Sequence, residues 1–343
     1  MTDLNTRFQA ALAAHQAGVL DKAEAMYRAL PEHPKILQNL AVLLAALGRH
    51  AEAEALLRRS LELAPGVASA ENSLGRQLMA QGRYAEGWPL MEARRRDPAT
   101  PMPRLDLPSP EWMGEPLAGR HIVVVGEQGF GDQIMFARFL PLLREQSGRV
   151  SFVVGPPLKR LFQSLGVEVL AGDGSDPIPA GDCSAFLCSL PGRLGVTLDN
   201  LPPPAPLRGT AAASRGGVGV VVQGRPSQAN DRNRSMTPAA AARLRALGRD
   251  LSPEATGARD FQETADIIAG LDLVISVDTA IAHLAASLGK PTWILLAQVG
   301  TDWRYERGRD GCRWYPSARL FRQPMAEDWD SVLSAVEAAL AAR

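Results

Sequence analysis

The chain has 343 residues, enough for two or three domains, and 46% of them are hydrophobic, enough for well-filled cores. Lys plus Arg equals Asp plus Glu at 37 each, so no global field favours nucleic acid or a membrane surface, and any anion site must be local. Three cysteines, Cys183, Cys188 and Cys312, supply neither a disulfide framework nor a zinc spacing and are expected as buried thiols.

The first residues carry Asp3 and lack a long apolar core, so they do not read as a signal peptide, and no run approaches a membrane span; a cytoplasmic protein is expected. Residues 4–96 are rich in Ala and Leu at helical spacing and repeat themselves. Gly18-Val-Leu-Asp-Lys-Ala23-Glu24, Gly48-Arg-His-Ala-Glu-Ala53-Glu54 and Gly82-Arg-Tyr-Ala-Glu-Gly87-Trp88 each set a turn glycine before a helix with small residues on one face. These glycines stand 30 and 34 residues apart, and Pro34 and Pro65 close the first two units. The spacing resembles tetratricopeptide repeats, which implies about six helices over residues 1–97 and a concave groove. Such a groove either takes a peptide or helix of a partner or braces the next domain. Residues 98–120 hold six prolines, with Trp112 among them, and are expected to form a surface linker.

Residues 121–206 form the first α/β half. A strand, His121 to Val125, meets the loop Gly126-Glu-Gln-Gly129-Phe-Gly131-Asp132, and a helix follows from about Gln133 to Ser147. The glycines match neither the dinucleotide fingerprint nor the P-loop. The next strand, Arg149 to Val154, ends in Gly155-Pro156-Pro157 without an acid for a ribose, which disfavours a dehydrogenase. Asp132 has two readings: a helix cap, which position alone favours, or a carboxylate placed to take a proton from a hydroxyl. Further strands are expected at Val167 to Leu170 and Ala185 to Leu187. Gly172 to Asp176 reads as a solvated loop, and the prolines of Leu201 to Pro206 close the half.

Residues 207–343 form the second half. The strand Val218 to Val222 runs into a loop, Gln223 to Ser235, carrying Arg225, Arg232, Asn233 and Arg234; Thr237 then caps a helix opened by Pro238. Arg232 and Arg234 are either solvated surface residues or a pair that neutralises a diphosphate. Between Ala239 and Asp260 only one helix fits. The strand Leu271 to Val277 then stops at Asp278-Thr279, where a helix N-terminus offers N–H groups and a positive dipole end to an anion, phosphate being the natural guest. His283 follows Thr279 by four residues and shares its helix face. Gly289 ends that helix, Pro291 opens the next strand, and Asp328-Trp-Asp330 caps a closing helix over residues 329–342.

Six pieces in order, Glu127 to Asp132, Asn230 to Ser235, Ser276 to His283, Asp302 to Arg304, Trp314 to Pro316 and Leu320 to Gln323, resemble bacterial proteins that join tetratricopeptide repeats to a heptosyltransferase-like GT-B glycosyltransferase. The resemblance implies an α plus α/β chain: helical repeats, then a GT-B pair of Rossmann-like halves with the acceptor on the first and the nucleotide sugar on the second. That second half is trimmed between Ala239 and Asp260, where the family places a further strand and helix. It implies Asp132 as general base and substrate contacts at Gln128, Gly129, Gly131, Arg232, Asn233, Arg234, Asp278, Thr279, Ala280 and His283. The reaction implied is an inverting displacement on a hexosyl, heptosyl or nonulosonyl nucleotide sugar, with no metal and no cofactor. Ser or Thr of a polypeptide in the repeat groove, flagellin first among candidates, is the implied acceptor. A non-catalytic scaffold or sugar-nucleotide sensor is the alternative. The trimmed segment favours it, as does Val222-Gln-Gly-Arg225 where relatives commonly have Trp-Ala-Gly-Asn, whereas the intact Asp132, Asp278, Thr279 and His283 argue against it.

Overall fold

The structure is a computed structural model that describes residues 4–100, 102–103, 107–210, 216–226 and 230–343. The chain divides into two compact units: Met1–Thr100 with Val299–Arg307, and Pro101–Gln298 with Gly308–Arg343.

The first unit contains α1 (Leu4–Gln16), α2 (Leu20–Arg28), α3 (Pro34–Ala46), α4 (His50–Leu63), α5 (Ala68–Ala80) and α6 (Tyr84–Met91), packed as successive hairpins. Gly18, Gly48 and Gly82 turn the chain within the hairpins at φ near +79°, +78° and +79°, a conformation that other residues adopt at a cost. Small residues let the helices close up: a Cβ on Gly87 of α6 would sit 3.0 Å from the Gly75 carbonyl oxygen of α5. Leu40, Leu44, Leu57, Leu74 and Leu78 fill the core between the layers. Along one edge the repeat shows as an ionic ladder, with Arg49 bridging Glu24 and Glu52 at 2.7 and 2.6 Å and Arg83 bridging Glu54 and Glu86 at 2.8 and 2.7 Å. Pro34 occupies the first turn of α3, so it opens the second hairpin instead of closing the first.

Assigning all of residues 207–343 to one α/β half requires correction. Val299–Arg307 lies with the helices, where Trp303 packs edge-on against Tyr84 and Trp88 at 5.6 and 5.9 Å and the Gly300 N–H donates to the Ala46 carbonyl at 3.0 Å. Aromatic burial overrides sequence proximity here.

The second unit holds two sheets. The strands β1 (His121–Val125), β2 (Arg149–Val154), β3 (Glu168–Ala171) and β4 (Cys183–Phe186) are all parallel, in the order β3-β2-β1-β4. The strands β5 (Val218–Val221), β6 (Arg249–Asp250), β7 (Leu273–Val277), β8 (Thr292–Leu296), β9 (Gly311–Cys312) and β10 (Tyr315–Arg322) follow the order β6-β5-β7-β8-β10-β9. Only β9 in that sheet pairs antiparallel. The central strands are continuous apolar runs because helices cover both faces.

Three expectations change in this unit. The supposed surface linker is docked in part: Trp112 is 2% exposed, its N–H donates to the Ser184 carbonyl at 2.7 Å, and Ser184 N–H returns a bond to Pro110 at 2.9 Å. This segment covers the free edge of β4. The helix expected over 133–147 begins earlier, as α7 (Phe130–Phe136), passes through a 3-10 turn at Ala137–Phe139 and resumes at Leu140–Gln146. Pro141, which has no N–H for the helical ladder, sits in the first turn after the break. The stretch between Ala239 and Asp260 holds more than one helix: after Pro238–Arg245 come the two-residue β6, parallel to β5, and a single turn at Pro253–Thr256.

Thr237 accepts from the Ala240 N–H and Asp328 from the Ser331 N–H, so both act as caps. The three cysteines are free and buried. No described helix is long and apolar enough to cross a membrane.

Candidate functional site

Both β1 and β7 run inside their sheets and end in a polar turn that feeds a helix, the position where parallel sheets form crevices. After β1 the Gly126 N–H donates to Val153 at 2.8 Å, and Glu127 turns inward to accept the Cys188 N–H at 3.2 Å. Gln128 then adopts φ +64°, a left-handed conformation that costs a non-glycine residue about 1–2 kcal/mol. Its side-chain amide nitrogen is buried without a partner. Gly129 is the N-cap of α7, and Asp132 reaches back from the third position so that Oδ2 accepts the Gly129 N–H at 3.3 Å. Asp132 therefore caps its own helix as position alone suggests, and this bond fixes the carboxylate at the mouth of the first sheet.

After β7, Thr279 is the N-cap of the helix Ala280–Ser287 but makes no side-chain cap bond; its Oγ1 lies 3.1 Å from Ser276 Oγ instead. The Thr279 side chain thus satisfies none of the first-turn N–H groups. His283 is 5% exposed, with Nδ1 2.9 Å from the Tyr315 hydroxyl and Nε2 3.7 Å from Asp278 Oδ1.

The arginine loop reaches this elbow through Arg234. Arg234 donates through Nη1 to the Asp278 carbonyl at 3.0 Å while its Nε bonds Asp231 at 3.1 Å. Ser235 ties Asp231 at 2.9 Å to the Gly224 N–H at 3.0 Å. A Cβ on Gly224 would fall 2.5 Å from Arg234 Nε, so a side chain there would have to displace the Asp231–Arg234 pair. Asn233 bonds Asn230 at 2.6 Å within its own turn, and Arg232 is exposed. Of the expected pair of arginines, Arg234 bonds the elbow backbone.

The two halves meet where α7 faces the elbow helix. A Cβ on Gly131 would lie 2.7 Å from His283 Cδ2 and 3.5 Å from the Ala280 Cα. Phe130 packs on Phe261 at 5.3 Å, and Arg160 pairs with Asp260 at 2.8 Å. Arg138, 2% exposed, donates to the carbonyls of Met135, Pro202 and Trp314 at 3.0, 3.1 and 2.8 Å and lies over the Trp314 and Tyr315 rings at 4.9 and 5.3 Å. Sequence reading assigned no role to Arg138 or Tyr315. The available signal was an arginine inside the apolar run Ile134 to Leu140, since a buried guanidinium must be given acceptors. Among the described residues no group of three His, Cys, Asp or Glu is placed to hold a metal.

A curated relative, Protein FlbA of Caulobacter vibrioides, is 36% identical over 101 residues, which are 27% of this chain and 17% of the relative's length. Among solved structures, the iron-containing dodecameric glycosyltransferase TibC of enterotoxigenic E. coli is 17% identical with TM-score 0.39, covering 53% of this chain and 59% of that one. A family 9 glycosyl transferase from Veillonella parvula is 11% identical with TM-score 0.41, over 65% and 98% of the two chains. An O-GlcNAc transferase variant of Thermobaculum terrenum is 16% identical with TM-score 0.27, over 94% and 59%. At these scores the likeness adds nothing to the geometry. The sequence match is more local and falls on the site itself: residues 211–297, which carry Arg234, Asp278, Thr279 and His283, match glycosyltransferase family 9 (heptosyltransferase).

Proposed function

We propose that the chain is a nucleotide-sugar-dependent glycosyltransferase acting with inversion, and that the helical unit captures a polypeptide acceptor, flagellin being the first to try. The family 9 match over the elbow supports the transferase reading. The observation that carries it is the close approach of Gly131 to His283 and Ala280, which brings the Asp132 turn and the elbow helix terminus to one place. In the reaction, the acceptor hydroxyl oxygen bonds to the anomeric carbon as the bond to the donor phosphate breaks. The hydroxyl proton passes to Asp132, and the nucleotide leaves with the bonding electron pair. Its phosphate charge is met by the N–H groups of the Ala280–Ser287 helix, with Arg234 holding the elbow backbone. Neither a metal nor a cofactor is required by this scheme.

Calorimetric titration with UDP, GDP, ADP and CMP tests the donor half of the proposal, and incubation of flagellin with the matching nucleotide sugars tests the acceptor half. Asp132→Asn keeps an oxygen for the Gly129 N–H but removes the base. Transfer should fall by about 10²-fold or more with nucleotide affinity unchanged. A protein that binds none of the four nucleotides is a scaffold, not a transferase.

A further inference from the structure

We infer that Tyr315 is a positioning residue: its hydroxyl holds the His283 ring in the tautomer that directs Nε2–H at Asp278, and so sets the Asp278 carboxylate for hydroxyl groups of a donor sugar. The inference rests on the donor reading above and assigns the elbow's sugar contact to Asp278 instead of His283.

The imidazole is enclosed. Its Nδ1 is taken by the Tyr315 hydroxyl at 2.9 Å, its Nε2 faces Asp278 Oδ1 at 3.7 Å, and the backbone of Gly131 closes over Cδ2. A phosphate therefore cannot reach Nδ1, and Nε2 is turned to a carboxylate, which attracts a proton on that nitrogen. With Nε2 protonated, a neutral ring offers Nδ1 as acceptor, and the tyrosine hydroxyl donates to it. Tyr315 is itself fully buried at the start of β10 and lies under the Arg138 guanidinium, 5.3 Å from its ring. Arg138 belongs to the turn that follows α7 and is fixed by three carbonyls. The tyrosine is thereby gripped from the acceptor half while it grips the donor elbow. At the far end, the Asp278 carbonyl accepts from Arg234 at 3.0 Å while its carboxylate oxygen stands 3.7 Å from His283 Nε2. A fixed backbone and an N–H directed at one carboxylate oxygen orient the carboxylate to meet sugar hydroxyls.

The test uses the full-length protein labelled with 15N-histidine, with His283→Gln to assign the ring signals. The wild type should show a single Nε2–H tautomer, and Tyr315→Phe, which keeps the ring and loses the hydroxyl, should show both tautomers. An Nδ1–H tautomer in the wild type, or an unchanged tautomer in Tyr315→Phe, would overturn the inference. The second measurement compares a nucleotide sugar with its bare nucleotide. Tyr315→Phe should weaken the nucleotide sugar about tenfold, the scale of one hydrogen bond to a charged group, and leave the nucleotide alone. Equal weakening of both, or of neither, refutes a role at the sugar. If the wild type binds no nucleotide sugar, the donor reading and the sugar assignment fall together, whereas the tautomer result stands or falls separately. Should Tyr315→Phe prove unstable, Arg138→Lys, which loses the fork over Tyr315, should give the same mixed tautomer, and an unchanged ring would count against the inference.

Discussion

Replacing Gly131 by alanine probes the junction on which the proposed chemistry depends. The new methyl group would lie 2.7 Å from His283 Cδ2, where carbon atoms normally rest about 3.5–4.0 Å apart, so a gap of roughly 1 Å has to open. The imidazole cannot swing away, because it is 5% exposed and anchored at Nδ1 by Tyr315. The remaining response is for α7 to move off the elbow helix. Overpacking of this kind costs about 1–3 kcal/mol, visible as a loss of several degrees in thermal unfolding. A displacement of about 1 Å between Asp132 and the elbow costs about 10²-fold in transfer. Gly129→Ala is the internal control: its backbone has φ −70°, and its Cβ would meet only Asp132 Oδ2 at 3.3 Å. Its stability should stay within about 1 kcal/mol of the wild type, as for an ordinary cap substitution. Differential scanning calorimetry with donor binding and single-turnover transfer reads both variants. If Gly131→Ala melts and transfers like the wild type, or if Gly129→Ala is equally destabilised, the junction is not where the structure places it.

Trp303→Ala removes an indole that is 9% exposed and packed edge-on against Tyr84 and Trp88. It should destabilise the helical unit by about 3–5 kcal/mol, seen as faster hydrogen exchange in residues 68–96; unchanged exchange there would refute the assignment of residues 299–307 to that unit. Glu263 is held at about 2, below its ordinary 4.5, first by the Arg259 side chain and then by the Arg259 N–H. Because the folded value is the lower one, its stabilising contribution is present above pH 4.5 and fades as pH falls toward 2. Carboxyl NMR titration should show that midpoint, and Arg259→Ala should raise it; a wild-type midpoint near 4.5 would exclude the pairing.

Features set by short-range pattern are legible in the sequence. The apolar runs that became β1, β2, β7 and β8 stop where polar residues, glycine or proline begin, and the Thr237 and Asp328 caps follow from residue type one position before a helix. Features set by a distant partner are not. Trp112 looks like a linker residue until β4 presents an open edge, and Trp303 looks like part of an α/β domain until Tyr84 and Trp88 are beside it. The strand β6 is two residues long and exists only because β5 supplies its ladder, which no periodicity can signal. The site divides the same way. Spacing put Thr279 and His283 on one helix face, but which neighbour that face meets depends on Tyr315 and on a glycine of the other sheet.

The two helix termini at the junction look alike in sequence, a polar turn after an apolar strand, yet their orphan N–H groups are satisfied differently. On α7 the Asp132 carboxylate already complements the positive end and bonds the Gly129 N–H. At the elbow the residue in the capping position spends its hydroxyl on Ser276 and makes no cap bond to the first turn. A second anion beside Asp132 would meet a like charge at the helix end itself, whereas at the elbow the first turn offers donors and the dipole, and the Asp278 carboxylate before it faces His283 Nε2 at 3.7 Å. In the proposed reaction this difference assigns the donor phosphates to the elbow and leaves Asp132 for the acceptor hydroxyl. It also predicts that Thr279→Asp, which supplies the missing cap from within the chain, should raise thermal stability slightly while weakening nucleotide binding by tenfold or more, roughly the cost of placing one carboxylate against a phosphate. Calorimetric titration of Thr279→Asp showing wild-type nucleotide affinity would break the link between the uncapped terminus and the donor.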